Sequence, residues 1–437
     1  MKVLKFGGTS VGSAQRIKNV ANLVCDKSQK LVVLSAMSGT TNCLVEISNY
    51  LYKRNLDGAN ETINTLEKKY DGVIAELYAD EKYRKQAADV LKERFDFIRS
   101  MTQSIFTSFE EKAILAQGEL MSTNMFHIYL QEQGVDSFLI PALDFMKIDK
   151  NNEPDSAFIK ENINEILKKE SGHEIYITQG FICRNAYGEI DNLQRGGSDY
   201  TASLVGAAIG AEEIQIWTDI DGMHNNDPRV VENTKPVANL HFEEAAELAY
   251  FGAKILHPTC ILPAKLANIP VLLLNTMEPT AKGTTISNVQ KPGKIEAVAA
   301  KDNITAIKIK SGRMLLAYGF LRKVFEIFEH YKTSIDMITT SEVGVSLTVD
   351  NTKNLPEITE ELKKFGTVTV EEGMVIICVV GDLNAQNVGF QAKIVNALSE
   401  IPVRMISYGG SNYNVSFLVK AEDKNRALQA LSDHLFN

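Results

Sequence analysis

KVLKFGGTSVG, residues 2–12, is the stretch on which the reading of this chain turns. An apolar run carrying one lysine gives way to two adjacent glycines and then to two hydroxyl residues, Thr9 and Ser10. A strand ending in Gly7-Gly8 can turn sharply and present bare amide N–H groups to an anion, and Lys5 adds a full positive charge beside them. That combination suits a phosphate. Taken alone, the same residues read more readily as an ordinary strand-to-helix turn, because the apolar segment Ile17 to Val24 predicts a helix directly after it.

The rest of the chain narrows the choice. Its 437 residues are enough for about two or three domains, and a 44% hydrophobic content supplies real cores. The net charge of -9, with no long basic run, argues against nucleic acid or an anionic membrane surface as partner and favours a small ligand. No stretch approaches the run of about 20 apolar residues that a bilayer crossing needs, and the N-terminus enters a strand at once rather than through a signal or transit peptide. The cytoplasm is the expected compartment. Five cysteines, Cys25, Cys43, Cys183, Cys260 and Cys378, are far apart and form no CxxC pair, so buried, reduced thiols are expected and no metal site is read from them.

Up to about residue 290 apolar runs alternate with helical stretches: KVLKF, LVVLS at 31–35, SFLIPA at 137–142, EIYITQGFI at 174–182, EIQIWTDI at 213–220 and PVLLLN at 270–275. Near-continuous apolar strands separated by helices predict an α/β domain whose mostly parallel sheet is covered on both faces. Residues 50–112, rich in Lys, Glu, Tyr and Leu, read as a helical insertion with a solvated face and no chemistry of its own. NVQKPGKIE at 288–296 reads as a domain boundary. Beyond it the stretch beginning at Gly319 realigns on the one beginning at Gly389, a displacement of 70 residues. Each copy reads strand, helix, strand, strand, helix, for which a ferredoxin-like βαββαβ unit is the simplest packing. The second copy lacks a closing strand while an extra run, residues 295–301, precedes the first. Pairing of that run with residues 374–420 would nest the two units.

Other stretches also suit anions or nucleotides. LVVLSAMSGTTN offers hydroxyls at a strand end, or merely a polar loop capping a helix. QRGGSDYTA sets Arg195, a good carboxylate clamp, before two glycines and a helix capped by Ser198 or Asp199. WTDIDGMHNNDPR crowds Asp219, Asp221, Asp227 and Arg229 behind a strand, a grouping suited to a Mg²⁺ nucleotide or to a tight turn. FGAKILHP places Lys254 ahead of a Pro stop. No GxxxxGK[ST], GxGxxG after the first strand, HExxH or GxSxG is present, which argues against P-loop, Rossmann, zincin and α/β-hydrolase chemistry. Phosphoryl transfer to a carboxylate would need no general base, since a carboxyl of pKa about 3.9 is already ionised at neutral pH. Positioning and charge neutralisation would suffice.

In this order and spacing, KFGGTSV, VVLSAMSGTTN, AQGELMS, QRGGSDYTA, WTDIDGM with DPR behind it, FGAKILHP and NTMEPTAKGTTIS resemble the aspartate kinases of the amino-acid kinase superfamily, and the tandem repeat resembles their ACT regulatory domains. The likeness covers nearly the whole chain. It implies a three-layer αβα sandwich over residues 1–290, followed over 295–437 by two ACT units, about 304–371 and about 374–437 plus 295–301. It implies transfer of the γ-phosphoryl of ATP, with Mg²⁺, to the β-carboxylate of L-aspartate, giving 4-phospho-L-aspartate on the way to lysine, threonine and methionine. Lys5 matches the lysine that stabilises the transferring phosphoryl, and Gly7 and Gly8 the phosphate-facing loop. Ser35, Thr41, Glu119, Arg195, Gly196, Gly197 and Ser198 match aspartate-binding positions, and Asp199 an aspartate that organises the reacting groups. Thr218, Asp219, His224, Arg229 and Lys254 match ATP-binding positions, although His224-Asn225-Asn226 replaces a usual aromatic-Thr-Thr and Gln194 a usual Gly.

The repeat resembles in particular the single-function, lysine-sensitive branch. The resemblance assigns a lysine effector to Met314, Gly319, Phe320, Leu321, Ser334, Asp336, Thr340, Ser341 and Glu342, with Ala317 where that branch often has Ser. It also implies a homodimer or a dimer of dimers through the ACT units. Two other readings stay open at this level: a sister kinase acting on glutamate or N-acetylglutamate, and a non-catalytic amino-acid sensor.

Overall fold

β1 (Lys2–Phe6) pairs in parallel with β2 (Lys30–Leu34) on one side and with β7 (Ile214–Thr218) on the other, which puts Lys5 in the interior of a sheet. The computed structural model describes residues 1–103, 105–193, 196–252, 256–311, 318–384 and 386–436. Its chain divides into two units, Met1–Gly222 with Ile255–Asn288, and Met223–Lys254 with Val289–Asn437. The first unit leaves out residues 223–254, which the expected domain over 1–290 included.

In the first unit β1 leads into α1 (Ala14–Val24), whose N-cap Ser13 accepts from Arg16 N–H and whose Ile17, Val20 and Val24 are buried. Each fully buried aliphatic side chain of this kind stabilises the fold by roughly 1.5–3 kcal/mol relative to exposure. After β2 come α2 (Thr40–Tyr52), α3 (Leu56–Leu77), α4 (Glu81–Ser100), α5 (Ser108–Glu132), β3 (Ser137–Ile140) and α6 (Ser156–Lys169). β4 (Ile175–Gln179), the short hairpin of β5 (Ile182–Arg184) and β6 (Ile190–Asn192), α7 (Gly197–Ile209) and β7 follow. The chain then contributes β8 (Asn239–His241) and α8 (Phe242–Tyr250) to the second unit. It returns for α9 (Pro258–Leu266), β9 (Val271–Asn275) and β10 (Thr284–Ser287). The strands of the first unit lie in the order β3-β4-β2-β1-β7-β9-β10, all parallel except β10. Every residue of β2 and β4 is buried, which is why their sequences run apolar without alternation.

Two expectations need correction here. Pro258 does not stop a helix but opens α9, standing in its first turn where a missing N–H costs nothing. Of the five cysteines, expected to be buried, only Cys183, Cys260 and Cys378 are: Cys25 caps the end of α1 in solvent and Cys43 is half-buried.

In the second unit β11 (Ile295–Lys310), α10 (Phe320–His330), β12 (Ile338–Ser341), β13 (Gly344–Val349), α11 (Leu355–Lys363) and β14 (Thr367–Gly381) are followed by α12 (Phe390–Ala397), β15 (Met405–Tyr408), β16 (Asn414–Lys420) and α13 (Lys424–Leu435). One antiparallel sheet runs β12-β13-β11-β14-β16-β15. β11 and β14 pair along their lengths, from Ile295↔Gly381 to Lys310↔Thr367, with register shifts between Lys301 and Ala306. Asn303 adopts a left-handed φ of 60° at that irregularity, a conformation Asn tolerates. Residues 295–301 therefore lie against the half of β14 that pairs with β16, and residues 305–310 pair with β13. Each of the two long strands serves both repeats. Two apolar clusters flank the sheet, one with Ile377, Ile394, Phe417 and Leu428, the other with Ile307, Val324, Leu347 and Ile358. No described helix is long and apolar enough to cross a membrane.

Candidate functional site

In the order β2-β1-β7 the parallel strands are laid down first on one side of β1 and later on the other, and such a switch in strand order leaves a crevice beyond the carboxyl ends of the strands. A cavity of about 400 Å³ opens there. It brings together Gly8, Ser35, Thr41, Glu119, Gly197 and Ser198, six residues that the sequence placed around the phosphate and the acceptor. The glycine after β1 is required by close approach: a Cβ on Gly8 would stand 2.7 Å from the Ala36 carbonyl oxygen. Ser38 N–H donates to the Gly8 carbonyl at 3.1 Å, so the turns after β1 and β2 are locked backbone to backbone.

Lys5 Nζ lies 2.7 Å from Asp199 Oδ1, with the two side chains 9% and 14% exposed. Among the described residues Asp199 Oδ1 has no aligned hydrogen bond, so charge and packing hold the pair. A Cβ on Gly7 would sit 3.5 Å from the Lys5 ammonium, and the bare backbone there keeps that ammonium accessible. Asp199 comes from the first turn of α7. Neither Ser198 nor Asp199 is the helix cap, contrary to the expectation. Gly196 holds that place in a left-handed conformation (φ 74°), and its absent Cβ would otherwise meet the Cys260 sulfur at 2.5 Å. Glycine is the residue that adopts this turn without strain.

α5 supplies the polar wall. It begins with a capping box of Thr107 and Glu110 and carries Glu119, Ser122 and Thr123 on one face at helical spacing. Ser122 Oγ donates to the Ser35 carbonyl at 2.8 Å, and Thr123 Oγ1 accepts from Gln179 Nε2 at 2.9 Å. Glu119 is 4% exposed; its Oε1 accepts the Ala36 N–H at 3.1 Å, while its Oε2 is buried with no partner among the described residues. Burial pushes its carboxyl up to about 8, against the smaller opposing pull of the Ala36 N–H. A buried acceptor of this kind is suited to an incoming cation.

The helical insertion, read as inert, also contributes. From α3, Lys69 Nζ donates to the Ser38 carbonyl at 2.5 Å, and the Tyr70 hydroxyl bonds Thr40 Oγ1 at 3.0 Å. The reading as a solvated face missed that its inner side buttresses the turn after β2. Met37, Asn42 and Phe181 also line the cavity without having been singled out. Phe181 carries a left-handed φ of 68° just past β4, a strain that side-chain chemistry alone does not announce.

Of the nucleotide positions, Thr218 ends β7, where its Oγ1 accepts the Ile220 N–H at 3.2 Å, and Asp219 beside it is exposed. His224 and Arg229 belong to the second unit. His224 Nδ1 lies 2.9 Å from Thr234 Oγ1, and Arg229 forks onto Asp227 with contacts of 2.9 and 2.7 Å. That hydrogen-bonded guanidinium holds the Asp227 carboxyl below the usual range. Arg195, Lys254 and Met314, like Gln194 and Ala317, lie outside the described residues. Among the described residues no cluster of three or more His, Cys, Asp or Glu side chains could hold a metal.

The effector positions lie in the second unit. Gly319 caps α10 with a φ of 80°, Phe320 is buried beneath it, and Leu321, Ser334, Thr340, Ser341 and Glu342 are exposed. Asp336 differs: its side chain is 1% exposed and already bound by Lys301 and Tyr250, 35 and 86 residues away. Neither partner was visible in the spacing of the sequence.

Comparison with known proteins adds an independent line. The Amino acid kinase family model matches residues 1–275 and an ACT domain model matches residues 377–435. Lysine-sensitive aspartokinase 3 of Escherichia coli is 34% identical over 450 residues, covering 99% of each chain. The chloroplastic aspartokinase 1 of Arabidopsis thaliana is 33% identical over 99% of this chain and 80% of its own. Among solved structures, E. coli aspartokinase III with aspartate and ADP in the R-state superposes with a TM-score of 0.86 at 34% identity, covering 100% of both chains. The same enzyme with lysine and aspartate in the T-state gives 0.83, again over 100% of both. Clostridium acetobutylicum aspartate kinase gives 0.85 at 26% identity and the same coverage.

Proposed function

This chain belongs to the aspartokinases of the amino acid kinase family and is an ATP-using aspartate kinase, and we propose that the residues around Lys5 carry its chemistry as follows. The acceptor L-aspartate lies in the cavity beyond β1 and β2. Glu119 takes its ammonium group through the unpartnered Oε2, and Ser35, Thr41, Gly197 and Ser198, with Gly196 and Arg195, take its carboxylates. The β-carboxylate attacks as the anion it already is, so no side chain removes a proton. Lys5 neutralises charge gathering on the transferring phosphoryl, and Asp199 holds the ammonium in place. The backbone of Gly7 and Gly8 faces the phosphates, while Thr218, Asp219, His224, Arg229 and Lys254 hold the nucleotide.

Mg²⁺ fits this donor set as the companion of the nucleotide. Single carboxylates such as Asp199, paired with Lys5, and the exposed Asp219, rather than a protein cage, suit an ion that keeps waters and phosphate ligands. When bound it would offset phosphate charge. We assign catalysis to residues 1–290 and sensing of lysine to the two nested ACT units of 295–437, in a cytoplasmic enzyme that assembles as a homodimer or dimer of dimers.

The observation that carries this reading is that Glu119, with its buried and unpartnered oxygen, lines the same cavity as Gly8 and Ser198, the neighbours in sequence of Gly7 and Asp199. The test is ADP release by the full chain with aspartate, glutamate and N-acetylglutamate as acceptors, each with and without lysine or threonine. Aspartate is expected to be the acceptor and lysine the inhibitor. Release with glutamate alone, or a response to threonine and none to lysine, would overturn the respective assignment.

A further inference from the structure

The Asp336 carboxylate is occupied by the chain itself. Its Oδ1 takes two donors, Lys301 Nζ at 2.6 Å and the Tyr250 hydroxyl at 2.8 Å. Lys301 also reaches Asp350 Oδ2 at 2.9 Å and sits 4.4 Å from the centroid of the Tyr250 ring. An ammonium between two carboxylates and the face of a phenol ring occupies a complete cation cage. One acceptor is left over: Asp336 Oδ2 is buried and has no partner among the described residues. A buried carboxylate oxygen without a donor has capacity for another cationic group.

Tyr250 is the last residue of α8. Two residues on, Gly252 lies so close to β11 that a Cβ would stand 2.2 Å from the carbonyl oxygen of Ala300, the neighbour of Lys301. Its φ of 136° excludes most side chains in any case. The end of α8 is thus fastened to β11 at Ala300 and Lys301 and, through Asp336, to the segment entering β12. From Gly252 the sequence runs directly to Lys254.

We propose that Lys301, Asp336 and Tyr250 form the transmitting part of the effector site. A cationic amino acid engages Asp336 through its spare oxygen, competes with Lys301 for the carboxylate, and releases the Tyr250 hydroxyl, loosening the end of α8. The inference rests on the reading of the chain as a lysine-responsive kinase. Contacts made only in the effector-free state oppose effector binding by whatever they contribute to that state, so removing them must raise effector affinity.

The test uses full-length Tyr250→Phe and Lys301→Met. Aspartate-dependent ADP release is titrated with lysine, each protein normalised to its own uninhibited rate, and lysine binding is measured by calorimetry. In both variants the half-inhibitory lysine concentration and the dissociation constant should fall by about fivefold or more. Tyr250→Phe removes one oxygen and keeps the ring, so it carries the test alone should Lys301→Met fail to fold. A change in Tyr250→Phe of less than about twofold, or a rise, with the parent protein inhibited by lysine, overturns this inference and leaves lysine regulation standing. A parent protein that neither binds nor responds to lysine overturns lysine regulation and this inference with it.

Discussion

Two side chains set the limits of the chemistry. Lys5 is held by Asp199 with little room to move, so its ammonium is already aimed before any nucleotide arrives. Lys5→Ala should lower turnover by about 10²–10³ while changing the KM for aspartate little, because the group acts on charge that develops in transfer. Steady-state kinetics decide it, and intact turnover would refute the role. Glu119 gives a different signature. With a carboxyl near 8, about one in ten is ionised at pH 7, and only the ionised form can accept an ammonium. The aspartate KM should therefore fall roughly tenfold between pH 7 and 9 and level off above the carboxyl's own value. The Tyr70 phenol behind the site is pushed up by burial and stays neutral over this range. Glu119→Gln should give a higher KM that no longer varies with pH, as KM measured across that range would reveal.

At the scale of elements, the turns after β1 and β2 depend on an absent side chain. Gly8→Ala should cost about 1–3 kcal/mol and much of the activity, because the Ala36 carbonyl stands where the methyl would go. Thr107→Ala, which opens the capping box of α5, should cost about 1 kcal/mol without moving the aspartate KM. Denaturant melts and kinetics on both variants separate a packing fault in the site from one remote from it. These elements also show what the sequence could convey. β1, β2 and β4 were legible because strands buried on both faces are written as unbroken apolar runs. Glu119 entered through the resemblance of AQGELMS, although a row of polar residues on a buried helix face already marks a wall that looks at something. Pro258 was misread as a stop because proline is tolerated on either side of a helix end, and only the packing of the following residues decides. Gly196 was passed over as a cap because a backbone turn, rather than a side chain, does the capping. Lys301 and Tyr250 left no trace, since their meeting with Asp336 depends on folding across 35 and 86 residues.

For the whole molecule the decisive fact is that β11 and β14 each serve both repeats. Val379, fully buried in β14, pairs with Val298 on one side and Val415 on the other. Val379→Asp should destabilise the second unit by at least about 3 kcal/mol, since the carboxylate would have no partner there. It should also blunt the lysine response, although the effector residues belong to the other repeat. Calorimetry and lysine titration of the one variant check both. A single lost transition is expected, not the selective melting of one half.

The exchange of strands between the repeats also bears on heredity. A frameshift that discards residues 374–437 would delete more than the second copy: it would strip residues 295–301 of the strand they lie against and leave their apolar side chains in water. Duplicated modules joined end to end can be shed one at a time by mutation. These two cannot be shed singly, so over descent the second copy must be kept.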